Sequence, residues 1–565
     1  MKNNDNYTII IFNNYIQVVS VKIEKLVLQN YKSFKDRTVI EFNDGLNILV
    51  GDNEAGKSTI LEAVHLCLSG MLDGRYLKHD FHQYLFNYEI VEEYLTKVKI
   101  HKATELPELL IEVYFQHNDK LTEFEGSLNS EHNPKAQGVR FEIKLDDSYA
   151  DLYQNLLQLD EEQTSIPIEY FHVQWQSFAR KTMISRIVPI KSVLIDSATS
   201  KVKNGSDLYL SKIIKDGLNK QEQIGLSQSY RKLKERFNED ENIIDLNNKI
   251  TGHIPISDKQ LSITVDLSSN NAWESQLTTN FNNIPFDQIG KGEQCIVKTN
   301  LALANKKTEE SNLILIEEPE NHLSHTKLNS LVKQIKEKGE GKQIIITTHS
   351  SFVANKLGLE NLILIDNKQT KFFSGLPEET YKYFKKLSGY NTLRLILCKK
   401  AVLVEGPSDE LVFQKLYKQE NGRLPIEDGV DVISVAGLAF KRFLDIAKLV
   451  EKQVAVITDN DGKYEEKILN KYRDYHEISH IKISADSREN LNTLEPQFID
   501  ANQANFPKLC SVIEYEGEQT FDAIKKYMIG AKTDWALKLF ESEEVLEYPK
   551  YIKIVVEWCK PGFVA

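Results

Sequence analysis

The stretch Gly51-Asp-Asn-Glu-Ala-Gly56-Lys57-Ser58 fits G-x-x-x-x-G-K-[ST] and constrains the fold more than any other feature of the chain. Upstream, VKIEKLVLQNY, RTVIEF and LNILV read as short strands separated by Asn, Asp and Gly turn signals. Downstream, Ile60, Leu61, Val64, Cys67 and Leu68 recur at helical spacing. Strand, glycine-bearing loop and helix are the context that a phosphate loop requires. Backbone N–H groups close round the phosphates at a helix N-terminus, the lysine reaches the terminal phosphates, and the serine ligates magnesium. Gly51, Asn53, Gly56, Lys57, Ser58 and Thr59 are therefore the expected ATP contacts, with Ser58 on Mg²⁺.

NLILI (312–316) and QIIITT (343–348) are continuous apolar runs of the kind found in the middle of parallel sheets, and both end in polar clusters. The first ends in Glu317-Glu318-Pro319-Glu320. Strand alternation sends adjacent carboxylates to opposite faces, so Glu317 is expected in the magnesium shell and Glu318 as the group that orients or deprotonates water. Gly290-Lys-Gly292-Glu-Gln294 resembles the signature motif of ABC-type ATPases, and Thr347-Thr-His349-Ser350 resembles their switch histidine. The order of phosphate loop, signature, paired acids and histidine is that of an ABC-type head, and it adds Gly290, Gly292, Glu317 and His349 to the nucleotide contacts. Asp80-Phe-His-Gln83 is the candidate glutamine loop. The signature reads GKGEQ and Glu317 stands where most ABC proteins have Asp, departures that imply slow hydrolysis. LLIEVYF (109–115) and RFEIKL (140–145) suggest an added antiparallel layer. Leu208, Ile213, Ile214, Leu218, Leu226, Leu233 and Phe237 suggest a helical insertion over 205–250, too short for a long coiled-coil arm.

A second α/β pattern follows the Tyr/Lys-rich stretch near 380–392. AVLVE (401–405), a helix from Ser408, VDVISV (430–435), a helix from Leu438 and VAVITD (454–459) predict another parallel sheet. Val404-Glu405-Gly406-Pro-Ser408-Asp409-Glu410 places Glu405 at the C-terminal edge of that sheet, with Asp409 one helical turn away. Asp459-Asn460-Asp461-Gly462 ends a later strand in a second acidic pair. Carboxylates gathered in this way suit Mg²⁺ or Mn²⁺ better than zinc. Cys67, Cys295, Cys398, Cys510 and Cys559 form no CxxC pair, which argues against a zinc site or a disulfide framework and fits a reducing cytoplasm.

Together, VEGPSDE and DNDG resemble the TOPRIM metal-binding fold, and EEPENHLSH followed by TTHSSF resembles the OLD (overcoming lysogenization defect) nucleases. The resemblance implies an α/β chain: an SMC/RecF-like ABC-type P-loop ATPase with a helical insertion, then a Rossmann-like TOPRIM domain. The expected bounds are an extension over 1–20, the ATPase over 21–392 and the TOPRIM domain over 393–565. It also implies Glu405, Asp409, Asp459, Asp461 and Glu495 as metal ligands, and Lys532 beside Glu405 and Asp459 as a catalytic group. The implied activity is ATP-regulated, metal-dependent DNA cleavage, in bacterial defence against phage. DNA and at least a second copy of the chain are the implied partners, and relatives act beside a helicase-like protein or a retron reverse transcriptase. An alternative is a RecF-like ATP-gated DNA clamp with structural TOPRIM acids. Another is a topoisomerase or primase, but the tyrosine-bearing module or zinc ribbon these use is not identifiable.

Lys and Arg number 70 against 82 Asp and Glu, a formal charge of −12, so DNA has to be held by local basic patches. No uncharged apolar run approaches the ~18 residues that span a bilayer. Residues 9–20 read as an extra strand or a ragged start.

Overall fold

The computed structural model describes residues 21–560 apart from 73–74, 78–80, 101–104, 159–162, 197–201, 204–205, 208–217, 254–261, 266–278, 305–312, 340, 388, 390 and 436–439. The expected extension over 1–20, Asp80, the insertion positions Leu208, Ile213 and Ile214, and the Leu438 helix start lie outside the described residues.

The chain opens with β1 (Ile23–Gln29), β2 (Thr38–Glu41) and β3 (Leu46–Gly51), then α1 (Lys57–Ser69). β4 (Leu109–Phe115), β5 (Gln137–Leu145) and β6 (Phe171–Ser177) join β1 and β2 in a five-stranded antiparallel sheet of order β2-β1-β4-β5-β6. β7 (Ser192–Asp196), β8 (Leu313–Glu317), β9 (Gln343–Thr347), β10 (Leu362–Asp366) and β11 (Gln369–Phe372) join β3 in a six-stranded sheet of order β11-β10-β3-β9-β8-β7, parallel except for β11. β12 (Lys400–Val404), β13 (Val430–Ser434), β14 (Gln453–Ile457) and β15 (Ile481–Ser484) form a four-stranded parallel sheet of order β13-β12-β14-β15.

Side-chain alternation divides each central strand between two cores. Leu313 and Leu315 of β8, Leu49 of β3 and Ile345 of β9 pack with α1 and the antiparallel sheet. Ile314, Ile316, Ile48, Val50, Ile344 and Ile346 face the other way. That second core does not stop at the head. It continues through Leu393, Leu395 and Ile396 into Ala401 and Leu403 of β12, Ile433 of β13 and Val454 and Val456 of β14. The other face of the small sheet, including Val402, Val404, Ala455 and Ile457, packs on the C-terminal helices. The two α/β units thus share one apolar core, which fixes their relation more firmly than a polar linker contact would. Polar pins cross the same junction: Thr392 Oγ1 donates to Asn355 Oδ1 at 2.7 Å, and Leu393 N to Ser351 Oγ at 3.2 Å.

The insertion contains two described helices, α2 (Lys220–Asn238) and α3 (Glu241–His253). A capping box starts α2, with Glu222 N donating to Asn219 Oδ1 at 2.9 Å and Asn219 N to Glu222 Oε2 at 2.7 Å. Its helical apolar period does not mark a buried stripe, however. Leu233 is 62% and Phe237 54% exposed, so caps and pairs such as Arg231–Glu235 support this helix in place of core burial.

Candidate functional site

The nucleotide motifs leave one edge of the six-stranded sheet. β3 runs into the phosphate loop, β9 beside it runs toward His349, and β8 beyond β9 ends at Glu317. The C-terminal edge of a parallel sheet is where open α/β proteins build sites. A cavity of about 1350 Å³ opens there, lined by Asn53, Lys57, Ser58, Thr59, Glu318 and His349. Gly56 lines it too, with a left-handed φ of 99°; a Cβ there would sit 2.6 Å from Ser33 Oγ and 2.7 Å from the Phe34 ring, so the loop closes only with glycine. Gln83, in the candidate glutamine loop, borders the same cavity.

Lys57 is 3% exposed, and its ammonium donates to Gly51 O at 2.9 Å and Asp52 O at 2.8 Å. Burial draws its pKa down, while Glu318, Asp52, Glu320 and Glu317 act in the opposite sense. The cation is therefore the focus of the acidic loop after β8. Strand alternation ends at Glu317, so the separation of Glu317 from Glu318 is not set by the pleat as expected. Glu318 instead adopts a left-handed φ of 40°, held by its N–H on Thr347 O at 3.1 Å and Thr347 Oγ1 at 3.2 Å. Strain of this kind persists where the surroundings over-determine it, commonly at functional sites. Glu318 Oε1 lies 3.3 Å from His349 Nε2, and its other oxygen accepts from Asn321 Nδ2 at 3.1 Å. Glu320 positions the histidine loop by accepting from Thr348 Oγ1 at 2.6 Å and His349 N at 2.8 Å. Gly290 and Gly292 are not among the residues lining this cavity. Gly292 packs against His322, whose carbonyl oxygen would lie 2.2 Å from an added Cβ.

The second cluster lies at the corresponding edge of the four-stranded sheet. β12 and β14 are parallel neighbours, which brings Glu405 beside Asp459. Glu405 Oε1 accepts from Thr458 Oγ1 at 2.6 Å and Asp459 N at 2.9 Å. Asp409, in the first turn of α4 (Pro407–Asn421), accepts from Gly406 N at 3.1 Å. Glu495, in the first turn of a helix over Leu494–Ala501, accepts from Thr493 Oγ1 at 3.0 Å.

These carboxylates act on one another. Burial, then Asp409, Glu405, Glu495 and Asp461, push the Asp459 carboxyl up to about 9; burial, then Glu405, push Asp409 up to about 7. Asp459 Oδ1 is buried without a hydrogen-bond partner. An orphaned acceptor inside a ring of acids is costly unless a cation satisfies it, so the donor set fits a divalent ion. Among the described residues no three such side chains already converge at liganding distance. Glu405 is turned onto Thr458 and the Asp459 amide instead.

Asp461 lies at the rim, with a left-handed φ of 49° and its carboxylate 3.7 Å from Lys467 Nζ. Asn460, which sequence reading passed over, is fully buried and anchors the turn through Asp486 O at 2.8 Å and Arg488 O at 3.0 Å. Lys532 stands exposed just after a helix over Phe521–Ala531.

The raised carboxyls predict how stability varies with pH. A folded-state pKa above the unfolded value gives stability that is full below the unfolded pKa, about 4, and is lost as pH rises through the folded values toward about 9. In EDTA the wild-type melting temperature should fall across this range more steeply than that of Asp459→Asn. Divalent metal should restore the wild type alone. Equal slopes in scanning fluorimetry would show that the acids are solvated.

The model of the AAA ATPase domain family matches residues 22–354, more than half of the sequence. The chain belongs to that family. A second model, the overcoming lysogenization defect protein-like TOPRIM domain, matches residues 396–461 and so includes Glu405, Asp409, Asp459 and Asp461. This AAA ATPase thus carries an OLD-like TOPRIM domain, in the order the resemblance implies. A 44-residue stretch is 52% identical to the chromosome partition protein Smc of Halobacteriovorax marinus and covers 8% of this chain and 4% of that protein. A 48-residue stretch is 48% identical to the DNA replication and repair protein RecF of Acetivibrio thermocellus, covering 8% and 13% respectively. The solved C-terminal region of the Burkholderia pseudomallei OLD protein aligns with 29% of this chain and 97% of its own length, at 16% identity and a TM-score of 0.24. No helix among the described residues of the ATPase is long and apolar enough to cross a membrane.

Proposed function

We propose that the chain is an ATP-regulated, divalent-metal-dependent DNA endonuclease that hydrolyses phosphodiesters at the TOPRIM acids. The observation that carries this is the buried, unpartnered Asp459 Oδ1 facing Glu405, Asp409 and Glu495. Such crowding is unfavourable for folding, and is the arrangement needed to hold a cation against a DNA backbone. Glu405, Asp409 and Asp459 would hold the metal, with Asp461 and Glu495 completing its surroundings. When bound, Mg²⁺ or Mn²⁺ supplies an activated water and stabilises the leaving oxygen. To take that role Glu405 would exchange its contacts with Thr458 and the Asp459 amide for the ion.

In the head, Lys57 exchanges its contacts with the Gly51 and Asp52 carbonyls for phosphate oxygens of ATP, and Ser58 and Glu317 would hold magnesium there. Glu318 orients the attacking water and takes its proton, with His349 beside it. Gly290 and Gly292 do not line this cavity, and on this reading the signature turn of a second copy completes the site, which makes the working unit at least a homodimer. Light scattering at micromolar concentration with ATP should give a dimer or larger; a monomer would contradict the composite site. A cytoplasmic role in defence against phage is the setting this reading implies.

Supercoiled plasmid should be nicked or linearised with Mg²⁺ or Mn²⁺ and left intact in EDTA. The clamp reading draws on the fact that the described acids do not already converge on one point. It predicts ATP-dependent DNA retention with no strand broken under any metal.

A further inference from the structure

A carboxylate cluster that receives a DNA strand needs fixed cations as well as metal, since both partners are anionic. Lys532 stands exposed beyond Phe521–Ala531. Two cations near Asp461 and Glu405 come from the segment after the D-N-D-G turn. Glu465–Asn470 is a π-helix, and Lys471 N donates to Glu466 O at 3.2 Å across its five-residue spacing. π-Helical turns are rare and concentrate at functional sites.

Lys467, on this turn, holds its ammonium 3.7 Å from Asp461 Oδ2. Burial draws the pKa of Lys471, just past it, down; the Glu405 and Asp461 carboxylates act in the opposite sense, and the Lys467 and Lys441 charges add to the lowering. Its ammonium lies 4.9 Å from the centre of the Tyr472 ring and 6.0 Å from that of Phe440. Tyr472 is fully buried and Phe440 nearly so, so the lysine stem is braced against rigid aromatic walls. The Lys471 ammonium makes no ion pair or hydrogen bond among the described residues. A part-buried lysine braced on aromatic faces, turned toward an acid cluster yet paired with none of it, is suited to an anion that arrives from outside.

Resting on the nuclease reading above, we infer that Lys471, with Lys467 at the rim, contacts the DNA strand phosphates that enter the carboxylate centre. Lys471 neutralises charge at the scissile phosphodiester, while Lys467 exchanges Asp461 for a flanking phosphate. The metal then screens the acids, and the lysines screen the strand.

Anisotropy of labelled duplex DNA with the full chain, in Ca²⁺ over a series of salt concentrations, tests the contact separately from cleavage. Lys467→Ala and Lys471→Ala should each lower the slope of log K against log salt by about 1, while Lys482→Ala, at an exposed position on β15, leaves it unchanged. With Mn²⁺, Lys471→Ala should cut DNA on the order of 100-fold more slowly, with Lys471→Arg recovering much of the rate and ATP hydrolysis unaltered. If the alanine variant melts lower, Lys471→Gln, which keeps the stem on Tyr472, replaces it. Unchanged slope and rate in the Lys471 variants would overturn the inference, and loss of cleavage in Lys532→Ala would then assign the cation there. Wild-type protein that binds DNA but never cuts it would sink the nuclease reading while the slopes still decide the contact. Wild-type protein that does not bind DNA would sink both.

Discussion

Asp459→Asn and Glu405→Gln should each reduce DNA cleavage by on the order of 100-fold or more while ATP hydrolysis stays at the wild-type level. The separation follows from the fold. The phosphate loop leaves the six-stranded sheet, whereas the acids leave the four-stranded one, and no residue of one cluster hydrogen-bonds to the other among the described residues. The effect is large because each substitution removes a charge at the place where the metal and the reacting phosphate meet. It is not a folding defect in disguise. Asp459 is held with its carboxyl pushed up to about 9, so the neutral amide relieves repulsion, and the variant should melt no lower than wild type without metal. Gel assays on plasmid, phosphate release and melting curves on the same preparations check all of this. Cleavage at wild-type rates by both variants would make these acids surface turns.

Lys57→Ala and Glu318→Gln should both abolish ATP turnover but fail at different steps. Lys57 is buried, with its ammonium on two loop carbonyls, and no other cation lies on the loop itself between Gly51 and Ser58. Removing it should weaken nucleotide binding. Glu318 sits across the cavity beside His349, and its amide should still accept Asn321 while losing the capacity to take a proton. Binding should survive and hydrolysis fall on the order of 100-fold or more. Titration with a fluorescent ATP analogue, together with phosphate release, distinguishes the two. Hydrolysis at the wild-type rate by Glu318→Gln would move the base to Glu317 or Glu320.

Much of this was legible because strands and turns impose local patterns. The runs at 313–317 and 343–347 are buried on both faces, so their continuous apolar character identified parallel strands without tertiary information. Glu405 and Asp459 were readable because each follows such a run at the edge where sites form. What escaped has no local signal. Asn460 looks like any turn residue until its amide is found clamped by Asp486 and Arg488 carbonyls far along the chain. Glu320 resembles a solvated acid until β9 brings Thr348 against it. Leu233 and Phe237 fit a helical period, yet period alone does not say whether the face meets a core. Nor could sequence show that Ile314 and Leu403 belong to the same apolar core, which joins the ATPase to the TOPRIM sheet.

The most direct test is calorimetric titration of the nucleotide-free chain with Mn²⁺, in buffers of different ionisation enthalpy at neutral pH. Carboxyls pushed up to about 7 and about 9 must lose protons to become ligands, so binding should release about one proton or more per metal taken up. Asp459→Asn should lose that binding event. A wild-type isotherm that releases no proton and matches that of Asp459→Asn would contradict a metal centre at Glu405, Asp409 and Asp459.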